Sequence, residues 1–385
     1  MRKIYLDNAS TSYPKPQCVI DTMVDFMKNI GCNPGRGGYE KSVESDRIVY
    51  DARKTINDFF NGPSSKNVIF TQNITMSLNT IMKGMFKKNW HIITTSMEHN
   101  SVMRPLRSLE RERDLNVTVI KCSKEGFLNP DDIKNAITRF TRAVVMTHAS
   151  NITGTILPAY EVGKICRENG LYFILDSAQT AGTLDIDFKK FNIDALAFTG
   201  HKSLLGPPGT GGFIISDFAS EITSSLIEGG TGSESDMENQ PEILPDKYEG
   251  GTLNTPGIAS LKSGIDFIKK KTIDKIRRHE QNLTDIFLNG LSSIDGITVY
   301  GPRNPALQTG TVSINIKDMD PSEVSFILDS KYGIMTRSGL HCAPSAHKPI
   351  ETFPKGTVRF SIGYFNTEDE IGYTLDAIRE ISDKN

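Results

Sequence analysis

The sequence has few cysteines, a single tryptophan and no excess of charge of one sign. Its 385 residues include five cysteines, and 44 Lys+Arg against 46 Asp+Glu give a formal net charge of −2. The cysteines are odd in number, widely spaced and without a C-x-x-C pair, which argues against a disulfide framework or a zinc ribbon. Proteins that bind nucleic acids usually neutralise the phosphates with an excess of basic residues. Because this chain has no such excess, we expect no nucleic-acid partner.

Long apolar runs are also missing from the sequence. No stretch approaches the roughly 20 consecutive apolar residues that a membrane span needs. The first ten residues, MRKIYLDNAS, contain no apolar segment of the kind that a signal peptide carries. We therefore expect a cytoplasmic protein with no membrane partner. Its 37% hydrophobic and 23% charged content is typical of a folded globular chain.

Short apolar runs alternate with helix-period segments between about residues 65 and 216. The runs predict strands at Asn67–Phe70, His91–Thr94, Val117–Ile120, Ala143–Met146, Tyr172–Leu175, Ala195–Phe198 and Gly212–Ile215. Helices are predicted at Thr75–Phe86, Ser101–Arg113, Asp131–Phe140 and Ala159–Asn169. Continuous apolar runs are typical of strands buried on both faces, and the alternation predicts an α/β fold with a mostly parallel seven-stranded sheet. Such sheets bind ligands beyond the carboxyl ends of their strands.

The pattern changes after about residue 255, where helices are predicted at 256–271 and 274–290. Further strands are predicted at Ile297–Tyr300, Thr311–Ile316, Ile334–Arg337 and Val358–Ile362, with helices at Pro321–Tyr332 and from Thr367 onward. This order is typical of a smaller α+β domain. We predict a large domain over residues 15–255 and a small domain over residues 256–385, joined by residues 1–14.

A lysine follows one predicted strand within a glycine-rich segment, Phe198-Thr-Gly-His-Lys202-Ser-Leu-Leu-Gly-Pro-Pro-Gly. Burial at such a place lowers the pKa of a lysine and makes its amine available for a Schiff base, although a lone lysine on a turn is more often a surface residue. Asp176, in Leu175-Asp-Ser-Ala-Gln179, ends another strand and alone would be interpreted as a helix N-cap. Together, the two motifs fit pyridoxal phosphate, whose pyridine nitrogen a carboxylate keeps protonated.

Over nearly its whole length, from Tyr5-Leu-Asp-Asn-Ala to Arg359-Phe-Ser-Ile-Gly, the sequence resembles the class V (fold type I) pyridoxal-phosphate enzymes, and specifically the cysteine desulfurase and selenocysteine lyase family. The resemblance implies a fold type I transferase in which Lys202 binds the cofactor and moves protons. It also implies that Asp176 pairs with the pyridine nitrogen and that Gln179 binds the phenolic oxygen. His99, in Met97-Glu-His-Asn100, is implied to stack on the cofactor ring.

The cofactor phosphate is expected where Thr71-Gln-Asn-Ile-Thr75 opens a helix, because helix N-termini bind anions. By the resemblance, the phosphate ligands are Thr75, Thr199, His201 and, from the neighbouring subunit of a homodimer, Thr252. The Gly-Thr pair usual in the family is replaced by Asn73-Ile74. Ile74 has no hydroxyl to donate, so that contact is expected to be lost.

The resemblance implies that Asn151 and Arg359 hold the substrate α-carboxylate, and that Arg36 lies at the mouth of the site. A cysteine stands in Arg337-Ser-Gly-Leu-His-Cys342-Ala-Pro. Most cysteines are small buried hydrophobes, as we expect for Cys122 and Cys166, whereas Arg337 and His341 are expected to favour the Cys342 thiolate. His341, Cys342 and His347 offer only three ligands within seven residues, so no metal site is expected.

The implied reaction removes sulfur from L-cysteine, releases L-alanine and leaves a persulfide on Cys342 for an acceptor protein. Leu340 replaces the first of two histidines that usually precede the family cysteine, so proton handling or substrate preference is expected to differ. Three alternatives stay open: a selenocysteine lyase, a class V aminotransferase in which the cysteine is incidental, and a non-catalytic binding protein that keeps the fold. No role is predicted for Cys18 or Cys32.

Overall fold

The computed structural model describes residues 2–35, 37–234 and 236–384. The strands are β1 (Ile4–Tyr5), β2 (Val68–Thr71), β3 (His91–Thr95), β4 (Asn116–Ile120), β5 (Thr141–Thr147), β6 (Tyr172–Asp176), β7 (Ala195–Thr199), β8 (Gly211–Ile215), β9 (Ile297–Tyr300), β10 (Thr311–Ile316), β11 (Ile334–Met335), β12 (Arg337–Gly339) and β13 (Thr357–Ser361). The α-helices are α1 (Gln17–Asp25), α2 (Glu40–Phe59), α3 (Ile74–Met85), α4 (Asn100–Arg113), α5 (Pro130–Asn135), α6 (Ala159–Glu168), α7 (Asp217–Ile222), α8 (Thr255–Lys271), α9 (Ile273–Ser292), α10 (Pro321–Tyr332), α11 (Pro344–His347) and α12 (Glu368–Ser382).

Seven strands form the central sheet in the order β2-β8-β7-β6-β5-β3-β4. All neighbouring pairs from β7 to β4 are parallel, whereas β8 runs antiparallel to both β7 and β2. The prediction of a mostly parallel seven-stranded sheet is therefore confirmed. Because β6 and β7 are adjacent and parallel, their carboxyl ends open at the same edge of the sheet.

Both faces of this sheet are covered by helices, which explains why its strands are continuous apolar runs. In β5, Val144 and Met146 pack into one hydrophobic cluster with residues of α2, α6 and α8. Ala143 and Val145 point to the opposite face and pack with residues of α3 and α4. The alternation follows from the two-residue period of a strand.

A second, antiparallel sheet has the order β12-β13-β10-β9, and β1 pairs in parallel with β11 beside it. Its core contains residues of α9, α10 and α12 and also Ile4 and Leu6 from the start of the chain. Apolar residues of α8, including Leu261 and Ile265, belong instead to the large-sheet cluster. The division of the chain at residue 255 stays a prediction.

Two predicted elements differ from the structure, and one helix was not predicted. The helix expected to reach Phe140 ends at Asn135, since Thr138 turns the chain by donating its amide to the Thr141 hydroxyl at 2.7 Å. The strand expected at Ile334–Arg337 divides into β11 and β12, which join different sheets. Helix α2 was not predicted from the sequence at all. In the described part of the chain, no helix combines the length and apolarity needed to cross a membrane.

Candidate active site

Lys202 and Asp176 lie at the carboxyl edge of the central sheet. Asp176 is the last residue of β6, only 2% exposed, and accepts the Ala178 amide at 2.9 Å. Burial raises the pKa of Asp176, and the Lys202 ammonium opposes that shift. Burial lowers the pKa of Lys202 to about 8 although Asp176 opposes it. The amine can therefore lose its proton near neutral pH, as a Schiff-base lysine must.

Two glycines allow the chain to pack tightly around Lys202. A Cβ on Gly200 would lie 2.2 Å from the Thr210 hydroxyl, and one on Gly182 would lie 2.3 Å from the Ser203 carbonyl oxygen. Gly182 also has a φ of +95°, which other residues rarely adopt. The turn that presents Lys202 therefore depends on backbone that only glycine permits.

His99 caps the N-terminus of α4 with its ring. Its Nδ1 accepts the Ser101 amide at 3.0 Å, so the neutral ring carries its proton on Nε2. Burial and then the charges of Lys202, Arg337, Arg359 and Arg104 lower the pKa of His99 to about 4. The ring is therefore uncharged at neutral pH, which suits a flat aromatic group placed against a heterocycle.

Glu98, which precedes this histidine, is a site residue that the sequence did not reveal. Its side chain is fully buried, accepts the Thr95 hydroxyl at 2.5 Å and accepts the Thr147 amide at 3.0 Å. Burial raises the pKa of Glu98 to about 8. The contacts tie the start of α4 to the end of β5 and so fix the backbone that carries His99.

The phosphate cradle predicted from the sequence lies where β2 meets α3. Asn73 caps this 12-residue helix by accepting the Met76 amide at 3.0 Å, and Thr75 is exposed in the first turn. Thr199 is 2% exposed, and within the described residues its hydroxyl has no hydrogen-bond partner. His201 is neutral, because burial and then the charges of Lys202 and Lys15 lower its pKa to about 4. An orphaned hydroxyl beside a helix N-terminus fits a phosphate.

The Ile74 side chain does not face this cradle. It is 8% exposed and packs in the cluster formed with α4 and the sheet. The hydroxyl expected at this position is therefore replaced by a core contact that anchors the first turn of α3.

Arg359, in the middle of β13, is 2% exposed and held on two sides. Its Nη1 donates to the Asn151 carbonyl at 3.0 Å, and its Nη2 donates to Asp7 Oδ1 and Ser10 Oγ at 2.8 Å each. Its buried Nε has no partner among the described residues. A free donor on a buried guanidinium is suited to a carboxylate ligand. Sequence reasoning missed Asp7 and Ser10. Arg36, which was predicted to lie at the mouth of the site, is outside the described residues.

Cys342 is exposed on a short loop that is tied to the site by its backbone. The Cys342 carbonyl accepts the Asn100 amide at 2.8 Å, and the His341 carbonyl accepts Asn151 Nδ2 at 2.7 Å. Asn100 directly follows His99, and the Asn151 carbonyl holds Arg359. The loop is thereby fixed to the two segments that flank the proposed ring and carboxylate sites.

The expectation that His341 favours the Cys342 thiolate is wrong. His341 is 5% exposed, and its Nε2 lies 3.2 Å from the Thr357 carbonyl oxygen and hydroxyl. Burial and then the charge of Arg359 lower the pKa of His341 to about 2, so the ring is neutral. It therefore supplies no positive charge to the neighbouring sulfur.

Gln179 and Thr252 are the two remaining predicted cofactor ligands. Gln179 Nε2 donates to the Ala9 carbonyl at 3.2 Å, which places this amide against the N-terminal segment. Thr252 is exposed and borders a cleft of about 130 Å³ that Gln72 and Met76, at the start of α3, also line. Neither position contradicts the assigned role, and both roles stay predictions.

The structure separates the five cysteines by exposure. Cys122 and Cys166 are 2% and 0% exposed, as predicted. Burial raises the pKa of the Cys122 thiol to about 11 and raises that of Cys166 as well. Cys342 and Cys18 are exposed, and Cys32 is intermediate. The described residues bring no three His, Cys, Asp or Glu side chains together as a metal site.

Comparisons with known proteins agree on one family. The family model described as aminotransferase class-V matches residues 4–373. A probable cysteine desulfurase of Methanothermobacter thermautotrophicus is 37% identical over 98% of this chain and 94% of its own length. One from Pyrococcus abyssi is 35% identical over 98% and 94%. The apo structure of a cysteine desulfurase from Thermococcus onnurineus has a TM-score of 0.94 at 32% identity, covering 100% of this chain and 95% of that one.

Proposed function

Because this chain belongs to the aminotransferase class-V family, we propose that it is a pyridoxal-phosphate-dependent cysteine desulfurase that stores sulfur as a persulfide on Cys342. One observation carries the proposal. The Cys342 loop is hydrogen-bonded to Asn100, next to the ring-stacking candidate His99, and to Asn151, which also holds Arg359. The backbone that carries an exposed thiol is thus held beside groups suited to a cofactor and to an amino-acid carboxylate.

The described residues fit pyridoxal phosphate. Lys202 would bind its aldehyde, Asp176 its pyridine nitrogen and Gln179 its phenolic oxygen, with the His99 ring against its face. Thr75, Thr199 and His201 would hold the phosphate. When bound, the cofactor supplies an electron sink that weakens the bonds at the substrate α-carbon.

The side chains of this protein supply the rest of the chemistry. Arg359 binds the substrate carboxylate, and Lys202, with its pKa lowered to about 8, takes up and returns protons at Nζ. Cys342 Sγ forms a bond to the substrate sulfur while the substrate Cβ–S bond breaks. The electron pair of that bond stays on Cβ, which is protonated. The enzyme thiol and L-cysteine thereby become an enzyme persulfide and L-alanine.

The same proposal implies a substrate, a sulfur acceptor, an oligomeric state and a location. The substrate is L-cysteine or L-selenocysteine, and a separate protein accepts the sulfur or selenium. We further propose a homodimer in which Thr252 reaches the phosphate of the neighbouring subunit, and a cytoplasmic location. Plain transamination needs no thiol, so the fixed position of Cys342 favours desulfuration over that alternative.

The test is to incubate the purified protein with L-cysteine and L-selenocysteine separately and to quantify L-alanine. Mass spectrometry would locate the persulfide. We expect Cys342→Ser to lose persulfide formation but keep the visible absorption of the lysine-bound cofactor, and Lys202→Ala to lose that absorption. Cys18→Ser removes another exposed thiol and should behave like the wild type. Sulfur transfer by Cys342→Ser at the wild-type rate would contradict the proposal.

A further inference from the structure

Residues 7–15, here called the N-terminal strap, connect the Arg359 site to the backbone of Lys202. At one end, Asp7 and Ser10 hold the Arg359 guanidinium. At the other end, the strap binds the carbonyl groups of His201 and Lys202. These contacts join residues about 350 positions apart at the first end and about 190 positions apart at the second, so no local sequence motif predicts them.

The His201 carbonyl oxygen accepts an unusual number of hydrogen bonds from the strap. The donors are the Ser12 amide at 3.0 Å, the Thr11 hydroxyl at 3.0 Å, the Lys15 ammonium at 2.7 Å and the Ser12 hydroxyl at 3.3 Å. The ammonium bond is the shortest of the four, as expected when the donor carries a charge.

Lys15 also acts on Lys202 through Ser12. The Lys15 Nζ donates to Ser12 Oγ at 2.7 Å, and Ser12 Oγ is 2.9 Å from the Lys202 carbonyl oxygen. An ammonium can only donate, so the Ser12 hydroxyl accepts from it and directs its own proton to a backbone carbonyl. The charge polarises this chain of bonds and strengthens it.

This arrangement is costly for folding. Burial lowers the pKa of Lys15 to about 8, and desolvation is the cause. Across residues 2–35, 37–234 and 236–384, no carboxylate lies within ion-pair distance of this ammonium. A half-buried charge with no counter-charge does not stabilise a fold as an apolar side chain of the same length would. Stability alone therefore gives no reason for a lysine here.

We propose that Lys15 is a positioning residue for Lys202: its ammonium fixes the His201 carbonyl and orients Ser12 toward the Lys202 carbonyl, so that the amine of Lys202 meets the cofactor in one geometry. The inference rests on the proposed cofactor role of Lys202. Displacements of about 1 Å in a reacting group can reduce rates by about a hundredfold. A backbone held by these bonds limits such displacements.

The test compares Lys15→Met, which keeps the length of the side chain without its charge, with the wild type. We expect the visible circular dichroism of the lysine-bound cofactor to fall at least twofold, because that signal reports its orientation. We expect kcat for alanine formation to fall tenfold or more while KM changes less than threefold. The melting temperature should be unchanged or higher, because a desolvated charge has been removed. A purely structural role would instead lower the melting temperature.

Two further variants keep the test decisive. Lys54→Met removes an exposed lysine and should match the wild type in every readout. Ser12→Ala breaks the link to the Lys202 carbonyl, so it should reduce the dichroism even if Lys15→Met fails to fold. An unchanged signal in Ser12→Ala and in a folded Lys15→Met overturns this inference alone. A wild-type protein without the visible band overturns the proposed function as well.

Discussion

Asn151 has two candidate roles, and one substitution separates them. The resemblance assigns its side chain to the substrate carboxylate, whereas in the structure Nδ2 donates to the His341 carbonyl at 2.7 Å. Asn151 is 7% exposed, so Asn151→Ala leaves that carbonyl without a partner in a buried place. The loop that presents Cys342 should therefore become mobile.

The magnitude follows from the bond that is lost. Leaving a buried carbonyl unpaired costs about 1–3 kcal/mol. If this whole cost destabilises the loop conformation that presents Cys342, persulfide formation slows by roughly 5- to 150-fold. Because the Asn100 amide still holds the Cys342 carbonyl at 2.8 Å, we expect a loss near the lower end, about tenfold.

The assay is single-turnover persulfide formation, followed by mass spectrometry. In parallel, the affinity for L-alanine, which has the carboxylate but no sulfur, is measured from the visible spectrum. We expect the persulfide rate to fall about tenfold and the alanine affinity to change less than threefold. Asn67→Ala is the matched control, because Asn67 Nδ2 also donates to a buried backbone carbonyl, that of Ile215 at 2.9 Å, at the opposite edge of the central sheet. An equal loss of both quantities would refute the reasoning and support the carboxylate role.

Two further predictions concern buried charges. Arg53 and Glu249 form an ion pair with side chains only 8% and 5% exposed, so Arg53→Met should lower the free energy of unfolding in urea by about 3–5 kcal/mol. Adding Glu249→Leu should recover part of that loss, and a further loss in the double variant would refute the pairing. Burial raises the pKa of Glu280 to about 8, so its carboxyl binds a proton more readily in the folded than in the unfolded state. Its contribution to the free energy of unfolding therefore falls as pH rises from about 5 to 8, and Glu280→Gln should flatten that dependence; parallel pH curves for the two proteins would contradict the assignment.

The central strands could be predicted because each is buried on both faces. Such strands give continuous apolar runs, and the predicted and observed ends of β6 or β7 differ by a single residue. Helix α2 is different, since its buried face includes Ser42, Ser45 and Arg53. Polar residues on the inner face weaken the apolar period that identifies a helix. Helix α2 was therefore missed because some of its buried residues are polar.

The candidate site could be predicted only in part, for a related reason. Lys202 and Asp176 follow buried strands, so topology alone brings them to one edge of the sheet. Asp7 and Lys15 act through contacts with residues about 350 and 190 positions away, which no local pattern encodes. The sequence around Glu98 does not show that this residue is buried, so its contacts could not be predicted.

His341 shows how backbone geometry can reverse an interpretation from sequence. Both His341 and Cys342 have positive φ angles, 48° and 57°, so the loop turns sharply at this pair. One side chain is buried against Thr357 while the next is exposed. Adjacency in sequence therefore says little about which groups act on the sulfur. The electrostatic support expected from the imidazole is absent because the ring is neutral.

The nearly neutral chain can still bind anionic groups, because its charges are unevenly placed. Among the described residues, the cations around the proposed site include Lys15, Arg337 and Arg359, and the carboxylates include Asp7 and Asp176. The local excess is positive even though the formal charge of the chain is −2. Buried charges are screened less by salt than surface charges are. A basic surface is therefore unnecessary: a phosphate and a carboxylate can be bound by a few local cations, of which Arg359 is buried and is held by the N-terminal strap.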